Sequence, residues 1–335
     1  MKRIVACLLA LLLAGLFGCS SRQEAPAPTL TVGLVASSGG VAEDTLSSVL
    51  WRALQDLAAQ DNAIRPLLQE PAAGGYQAAI TALETQGAEL IVCVGDPAAK
   101  ALSAAAQTDP ARKYVFYGTT FVDLPNVACP VFDRVQAAYL AGAAAGKLSQ
   151  SAIVCCMQGR FSAENTPEAL AFAAGVCSVD QDAAVLRATT FGDADGGAAD
   201  TVDMVSRGVD VIYHTEDVAQ SAVLRTCGAQ GIWGIGAWYD RSSTEGAAAS
   251  VVNRVDIALQ ELVRAVQAGT FTGGKVHYAA ANNGIDLQLQ ADQLPGNVTN
   301  AVSSARNRLK EGTAFLPETL EALREKYPEA RLYYD

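Results

Sequence analysis

Three short segments carry residue types that could do chemistry. Gly142-Ala-Ala-Ala-Gly146-Lys147-Leu148 resembles a phosphate-binding loop, but it is one residue short between its glycines and has leucine where a magnesium-binding hydroxyl belongs. Gly234-x-Gly236 lacks the third glycine of a dinucleotide-binding turn, and no Gly-x-Ser-x-Gly nucleophile elbow occurs in the chain. The acidic turn Asp193-Ala-Asp195-Gly-Gly fails the spacing of a calcium loop. We interpret the first segment as a small-residue helix face and the last as a solvated turn, and predict no cofactor and no catalysis.

The histidines and cysteines do not form a metal-binding pattern either. His214 and His277 are far apart in the sequence, and there is no Cys-x-x-Cys motif, so no metal site is predicted. Six cysteines follow residue 19, and in an exported protein they could pair as disulfides or remain small buried hydrophobes. Both alternatives stay open.

The amino terminus carries a modification signal. Lys2 and Arg3 precede an apolar stretch over residues 4–17 that is too short for a membrane span and is typical of an export signal. It ends in Leu16-Phe17-Gly18-Cys19, which resembles the bacterial lipobox, in which the cysteine thiol receives a diacylglycerol. We predict a lipoprotein signal peptide over residues 1–19 and a flexible tether over 20–28. The alternative is a plain secretory signal with an incidental Cys19. The favoured interpretation places the protein in the cell envelope, lipid-anchored to a bacterial membrane and facing the periplasm or the exterior.

Composition excludes several classes of protein. The chain has 335 residues, of which 50% are hydrophobic and 18% charged, so it can bury large cores, and its length favours two domains. The formal net charge is −11, and no Lys/Arg cluster is present, so nucleic acid is not expected as a partner. Without Lys2 and Arg3, the remaining 22 basic and 35 acidic residues give about −13, which disfavours direct contact with an anionic lipid surface.

The body alternates strand-like and helix-like segments. Nearly continuous apolar runs at 30–36, 90–94, 114–117, 152–157, 209–213 and 232–237 predict parallel strands covered on both faces. Helix-like stretches between them at 76–85, 97–106, 135–148, 167–176, 218–227 and 255–268 predict α/β layers. The segment ending in Gly95-Asp96 is echoed 121 residues later by the one ending in Glu216-Asp217, which favours two similar lobes, although any two strand–helix units look alike.

Several short segments lie in order along about 250 residues. They are Val32-Gly-Leu-Val-Ala-Ser-Ser-Gly-Gly-Val41 through Trp51, Leu124-Pro-Asn-Val127, Tyr139-Leu-Ala-Gly142, Ala171-Phe-Ala-Ala-Gly-Val176, Gly208-Val-Asp-Val-Ile-Tyr213, Ile232-Trp-Gly-Ile-Gly236, Ser250-Val-Val-Asn253 and Gly269-Thr-Phe-Thr-Gly-Gly274. Their sequences and order resemble the basic membrane protein family, also called the purine nucleoside receptor A-like lipoproteins.

The resemblance implies an α/β type I periplasmic-binding-protein fold, with two Rossmann-like lobes joined by a hinge of crossing strands. We expect the crossings near residues 126–133, 238–246 and 276–283. The first lobe would comprise residues 29–128 and 245–278, and the second residues 129–244 and 279–335. Such proteins capture a solute by hinge closure and deliver it to the permease and ATPase subunits of an ABC importer.

The positions that contact ligand in the family are altered in this chain. Family members that bind nucleosides carry Thr-Asp and Phe-Asn where this sequence has Ala36-Ser37 and Leu46-Ser47. A family acid falls at Gly118 or Thr119, a second at Trp238, and a family lysine at Asn253. The loss of charged contacts disfavours a whole nucleoside, because sugar hydroxyls need buried acceptors.

The same loops contain aromatic and hydroxyl side chains. Tyr117, Phe161, His214, Trp238 and Tyr239 could stack on a flat or cationic solute, although each could instead belong to a lobe core. Ser37, Ser38 and Ser47 offer hydroxyls, although Ser37 or Ser38 could instead cap a helix. Asp240 could bind a cationic ligand or make a turn.

We therefore expect a monomeric, lipid-anchored solute-binding protein without enzymatic activity. Its predicted ligand is a small organic molecule, aromatic or nucleobase-like. The alternative is a ligand-sensing lipoprotein that presents its closed form to a membrane signalling partner.

Overall fold

The computed structural model describes residues 30–42, 45–159, 166–190, 193–215, 217–290 and 294–334. The predicted signal peptide, the tether, Cys19 and Phe161 lie outside these residues. The strands are β1 (Leu30–Val35), β2 (Ile64–Gln69), β3 (Leu90–Val94), β4 (Lys113–Tyr117), β5 (Val127–Phe132), β6 (Ile153–Gly159), β7 (Ala184–Thr190), β8 (Val211–His214), β9 (Trp233–Gly236), β10 (Ala247–Asn253), β11 (Gly274–Tyr278), β12 (Ile285–Leu289) and β13 (Arg331–Tyr333). The helices are α1 (Leu46–Gln60), α2 (Tyr76–Thr85), α3 (Ala99–Thr108), α4 (Arg134–Leu148), α5 (Thr166–Cys177), α6 (Ala194–Ser206), α7 (Asp217–Ala229), α8 (Val255–Gln267), α9 (Gly296–Lys310) and α10 (Leu320–Lys326).

The strands form two sheets, which confirms the predicted α/β fold with two lobes. The first is a six-stranded parallel sheet in the order β11-β5-β4-β3-β1-β2. The second has seven strands in the order β12-β10-β9-β8-β6-β7-β13, and β12 runs antiparallel to β10. We call the parts of the chain built on these sheets the first and second lobes.

Helices cover both faces of each sheet, which is why the strands are apolar throughout. All six residues of β1 and all five of β3 are buried. In the first lobe, α1 and α8 cover one face and α2 and α3 the other. In the second lobe, α4, α5 and α9 cover one face and α6 and α7 the other. Burial on both faces removes the alternation expected of a half-exposed strand.

Local signals account for several helix boundaries. The Thr45 side chain accepts a hydrogen bond from the Ser48 backbone N–H and caps α1, so neither Ser37 nor Ser38 caps that helix. Asp193 accepts from Gly196 N at 2.6 Å and begins α6, so the acidic turn acts as a helix cap. Gly142 of α4 is a site of close helix contact, because a Cβ there would lie 2.0 Å from the Phe172 carbonyl oxygen of α5. This confirms the predicted small-residue helix face.

The chain passes between the sheets three times. The passages run from β5 to α4, from β10 to α8 and from β11 to β12. The first and third coincide with the segments predicted at 126–133 and 276–283, but the second does not fall at 238–246. That segment instead joins β9 to β10 within one sheet. Neighbouring parallel strands are usually joined by a helix, but this segment contains none. Its sequence therefore resembles a linker between lobes.

Sheet membership consequently differs from the predicted lobe boundaries at 128/129 and 244/245. Strand β5 extends to Phe132 in the first sheet, and β10 belongs to the second. The internal echo is confirmed, since β3 and β8 occupy corresponding positions in the two strand orders.

The six described cysteines are buried with free thiols, and burial raises the pKa of Cys177 to about 11. Among the described residues, no helix has the length and apolarity needed to cross a bilayer.

Candidate functional site

A cavity of about 690 Å³ lies between the two lobes, beyond the carboxyl ends of β1, β3 and β4. In open parallel sheets this is the edge at which ligands bind. Its first-lobe lining consists of Ser37, Thr45, Leu46, Val94, Gly95, Asp96, Tyr117, Gly118 and Thr119, and its second-lobe lining of Ser221, Tyr239 and Arg241.

A second cavity, of about 630 Å³, shares Tyr239 with the first and extends toward the crossing segments. Its remaining lining residues are Ser48, Val49, Arg52, Asp240, Ser242, Ser243, Val252, Asn253, Arg254, Asp256 and Gln288. The two cavities thus bring together seven of the predicted site residues, namely Ser37, Leu46, Tyr117, Gly118, Tyr239, Asp240 and Asn253.

Two serines form a hydrogen-bonded unit at the first-lobe wall. Ser47 is fully buried, and its Oγ accepts a hydrogen bond from the Ser37 backbone N–H at 2.9 Å. The two hydroxyl oxygens are 3.1 Å apart. Ser47 therefore positions Ser37 at the cavity, whereas Ser38 is exposed and lines neither cavity.

Tyr117 ends β4 and lines the larger cavity. It is only 4% exposed, and its hydroxyl has no hydrogen-bond partner in the described part of the chain. Burial raises the pKa of this phenol well above its usual value, so the group is a neutral donor and acceptor.

The next residue, Gly118, explains one departure from the family pattern. A Cβ at this position would lie 2.4 Å from the Phe116 ring and 2.7 Å from Asp96 Oδ1. The site therefore has no room for the family's acidic side chain at position 118.

Asp96 is a charged cavity residue that sequence reasoning missed. Its Oδ1 accepts backbone N–H bonds from Thr119 and Thr120, each at 2.8 Å, and its Oδ2 accepts from the Thr119 hydroxyl. Partial burial raises the pKa of Asp96, but these hydrogen bonds outweigh that effect, and the net shift is downward. The available signal was the Gly95-Asp96 pair at the end of a predicted strand.

Arg241 is the second cavity residue that was missed. It is 3% exposed although it lines the larger cavity, and its Nε donates to Gln220 Oε1 at 3.0 Å. Its Nη2 donates to the Tyr239 hydroxyl at 2.6 Å, and its guanidinium carbon lies 3.9 Å from the centre of the Tyr239 ring. A buried arginine is not predicted by the polar sequence around it, because burial of a charge depends on distant partners.

His214 lies inside the second lobe and lines neither cavity. It is fully buried, and neither ring nitrogen has a hydrogen-bond partner among the described residues. Burial, and then the positive charge of Arg241, lowers the pKa of His214 to about 3. The ring is therefore neutral at physiological pH, and direct ligand contact by His214 remains a prediction.

Trp238, two residues after β9 ends, has an unusual backbone conformation. Its φ is +76°, a region that bulky residues rarely occupy. Its Nε1 donates to the Thr215 carbonyl at 3.2 Å, and the Arg134 guanidinium carbon lies 4.3 Å from the centre of its ring. Arg134 also pairs with Glu168, whose pKa is raised because burial outweighs the attraction of Arg134. Trp238 is half-buried against the core and lines neither cavity.

The remaining predicted residues lie at the second cavity. Asp240 is exposed and accepts hydrogen bonds from the Ser242 backbone N–H and hydroxyl, each at 2.9 Å, as a turn residue does, while ligand contact by Asp240 remains a prediction. Asn253 ends β10, and its backbone N–H donates to the Trp238 carbonyl at 2.9 Å.

Two α/β lobes with a cavity between their strand ends define a solute-binding protein of the periplasmic-binding-protein type. The family model for PnrA-like ABC transporter substrate-binding proteins matches residues 31–312. The chain belongs to this family, as its sequence resemblance indicated.

Individual relatives agree with that assignment. The chain is 26% identical over 351 residues to the ABC transporter nucleoside-binding protein BmpA of Lactococcus lactis, covering 95% of this chain and 99% of that protein. It is 24% identical over 324 residues to a CD4+ T-cell-stimulating antigen of Listeria innocua, covering 89% and 91%.

Solved structures share the fold. An ABC transporter solute-binding protein from Conexibacter woesei superposes with a TM-score of 0.73 at 20% identity, covering 86% of this chain and 99% of that one. A transcriptional activator of the comK gene from Bacillus halodurans has a TM-score of 0.72 at 19% identity, covering 86% and 100%.

Proposed function

We propose that this protein is the lipid-anchored receptor of an ABC importer and that it captures a nucleobase- or nucleoside-like aromatic molecule between its lobes, without catalysing a reaction. The observation that carries the proposal is the cavity of about 690 Å³, to which both lobes contribute polar and aromatic side chains. A volume of this size suits a small organic ligand.

The chemistry of the cavity supports an aromatic ligand. Tyr117 lines it from the first lobe and Tyr239 from the second, and tyrosine rings stack favourably on flat heterocycles. The serine hydroxyl of Ser37 and the phenol of Tyr117 supply neutral hydrogen-bonding groups. The relative from Lactococcus lactis is a nucleoside-binding protein, and a nucleoside contains a flat heterocycle of this kind.

The proposed mechanism is a shift in the population of open and closed forms. A ligand that contacts Tyr117 on one lobe and Tyr239 on the other favours closure by its difference in affinity for the two forms. The permease subunits would then recognise the closed form. We assign residues 30–132 and 255–278 to the first moving lobe and 134–253 and 285–334 to the second, following sheet membership and helix packing.

The anchoring part of the proposal rests on Leu16-Phe17-Gly18-Cys19. Acylation of Cys19 would hold a monomer at the outer face of a bacterial membrane, with residues 20–28 as the tether. A Cys19→Ala variant is expected to lose the lipid and to leave the membrane fraction. Continued membrane association without acylation would contradict the anchor.

The ligand class can be tested on the full-length chain purified in detergent. Native mass spectrometry would identify co-purifying small molecules, and thermal shifts would rank inosine, adenosine, hypoxanthine and adenine. Tyr239→Ala is expected to weaken binding at least tenfold, whereas the matched control Tyr333→Ala, on an exposed strand far along the second sheet, should leave it unchanged. Absence of binding by all four compounds, or equal loss in both variants, would refute the proposed site.

A further inference from the structure

Arg241 differs in chemistry from the other residues that line the larger cavity. It contributes a permanent positive charge and five N–H donors but no hydrogen-bond acceptor, whereas serine, threonine and tyrosine hydroxyls can both donate and accept. Burying such a charge is costly unless the surrounding structure holds it. Arg241 is 3% exposed and lines the cavity from the second lobe.

Several residues of the second lobe hold Arg241 in place. The backbone N–H of Arg241 donates to Ser250 Oγ at 2.8 Å, and Gln220 accepts from its Nε. A Cβ on Gly236 would lie 2.9 Å from Arg241 Cγ and 3.0 Å from Gln220 Oε1, so a glycine there leaves space for both side chains. The Tyr239 ring and hydroxyl both contact the guanidinium.

His214, a titratable group near Arg241, does not add a second positive charge. His214 is fully buried and neutral, and it lies close enough to Arg241 for that charge to affect its titration. Among the described residues that line the larger cavity, the charged ones are Arg241 on the second lobe and Asp96 on the first. Asp96 already accepts three hydrogen bonds from Thr119 and Thr120.

We propose that Arg241 makes the cavity selective for a heterocycle that presents an acceptor edge, namely a 6-oxopurine, over the matching 6-aminopurine. This inference rests on the proposed nucleobase-like ligand. A 6-oxopurine has adjacent acceptors at O6 and N7, which arginine recognises more often than any other base edge. A 6-aminopurine directs an N–H group from the same position, and a residue that can only donate has no partner for it.

Two pairs of probes isolate this edge. Inosine and adenosine differ at the 6-substituent and in the protonation of the adjacent N1, as do hypoxanthine and adenine, so the first pair tests the preference with ribose and the second without it. Calorimetric titration of the full-length chain is expected to show at least tenfold tighter binding of the oxo compound in whichever pair binds.

Arg241→Gln provides the decisive variant. A glutamine amide both donates and accepts and can pair with adjacent N6 and N7 of adenine, so the preference should fall below about twofold or invert toward the amino compound. Arg241→Met, which retains an apolar stem without donors, is the second variant if the first does not fold. The matched control is Arg207→Met, an exposed arginine immediately after α6 that pairs with Asp203 outside the cavity.

The outcomes separate this inference from the proposed function. A tenfold oxo preference that Arg241→Gln or Arg241→Met removes and Arg207→Met retains supports the inference. Binding of the probes without preference, with an amino preference, or with an oxo preference that survives in a folded Arg241 variant overturns the inference and leaves the proposed function standing. No binding of any probe overturns both.

Discussion

The two walls of the cavity hold their polar side chains in different ways. On the first lobe, the polar side chains are bound to backbone groups: Ser47 holds Ser37, and Asp96 holds Thr119 and Thr120. On the second lobe, a buried arginine is held by side chains, and the adjacent His214 has no partner for either nitrogen in the described structure.

This difference suggests that the polar groups of the first wall stabilise the folded state, whereas those of the second wall lower its free energy of unfolding. Backbone-bound hydroxyls and carboxylates stabilise the loops that they hold, whereas an unsatisfied buried imidazole destabilises its surroundings. Departures from full hydrogen-bond satisfaction are typical of functional sites. The second wall is therefore where we expect ligand discrimination, and the first wall is where we expect rigidity.

The largest expected effect concerns the pH dependence of stability. His214 has a folded-state pKa of about 3, below its unfolded value of 6.5, so its contribution to stability is lost as pH falls from about 6.5 toward 3. Between pH 7.5 and 4.5 this loss amounts to about 2 to 3 kcal/mol. Urea unfolding of His214→Phe should show a correspondingly flatter pH dependence than the parent protein.

The control for that experiment is His277→Gln, an exposed histidine on β11 of the other lobe. It should retain the steep pH dependence of the parent protein. If the free energy of unfolding depends on pH equally in the parent protein and in His214→Phe, the buried imidazole does not destabilise the second wall at low pH.

A smaller effect is expected at the first wall from Asp96→Ala. Loss of the carboxylate removes the partner of two backbone N–H groups and one hydroxyl of Thr119 and Thr120, which are exposed and can bind water instead, so the loss should cost about 0.5 to 1.5 kcal/mol of unfolding free energy. Hydrogen exchange at residues 119 and 120 should accelerate. Asp240→Ala, which affects an exposed turn only, is the comparison variant, and an equal change in both would contradict the assigned role of Asp96.

Ser47→Ala tests the other backbone contact of the first wall. Removing the fully buried hydroxyl leaves the Ser37 N–H without its acceptor and should cost about 1 kcal/mol in chemical unfolding. Ser38→Ala, one position away from Ser37 and exposed, should change stability by less than about 0.5 kcal/mol. If the two variants are equally stable, the hydrogen bond between Ser47 and the Ser37 backbone does not stabilise the first lobe.

The smallest effect is expected at Tyr117, the exception on the first wall. Its buried hydroxyl has no described partner, so Tyr117→Phe should leave stability unchanged or raise it by up to about 1 kcal/mol. Tyr114→Phe on the same strand removes a hydroxyl that donates to Glu84 at 3.0 Å and should be destabilising. A clear loss of stability in Tyr117→Phe would show that the phenol is satisfied in solution.

Much of the fold could be predicted because its determinants are local. Tyr76–Thr85 was predicted to the residue as a helix, the apolar run at 90–94 coincides with β3, and the run at 152–157 overlaps β6, which spans Ile153–Gly159. The segment 238–246 was misplaced because a strand connection without a helix has the same polar, turn-forming residues as a linker.

The site was predicted less completely than the fold. Tyr117, Tyr239 and Ser37 do line cavities, but Arg241 and Asp96 were missed and Ser38 lies outside. The family pattern marks lost acids at 118 or 119 and at 238. The charged residues described at the larger cavity, Asp96 and Arg241, stand at positions that the pattern does not mark. Arg241 is held at the cavity by Gln220, which is distant in sequence, and by the space left beside Gly236, which has no side chain. Neither feature is visible in the residues around Arg241.

The sequence by itself determined the α/β layers, the family and the doubled lobes, because strand burial and helical periodicity are written in consecutive residues. Only the tertiary structure decided that β10 joins the second sheet, that Asp96 fills the space beside Gly118, and that Arg241 is buried at the cavity. The physical reason is that hydrogen bonds and desolvation act between groups that folding brings together, whatever their separation along the chain.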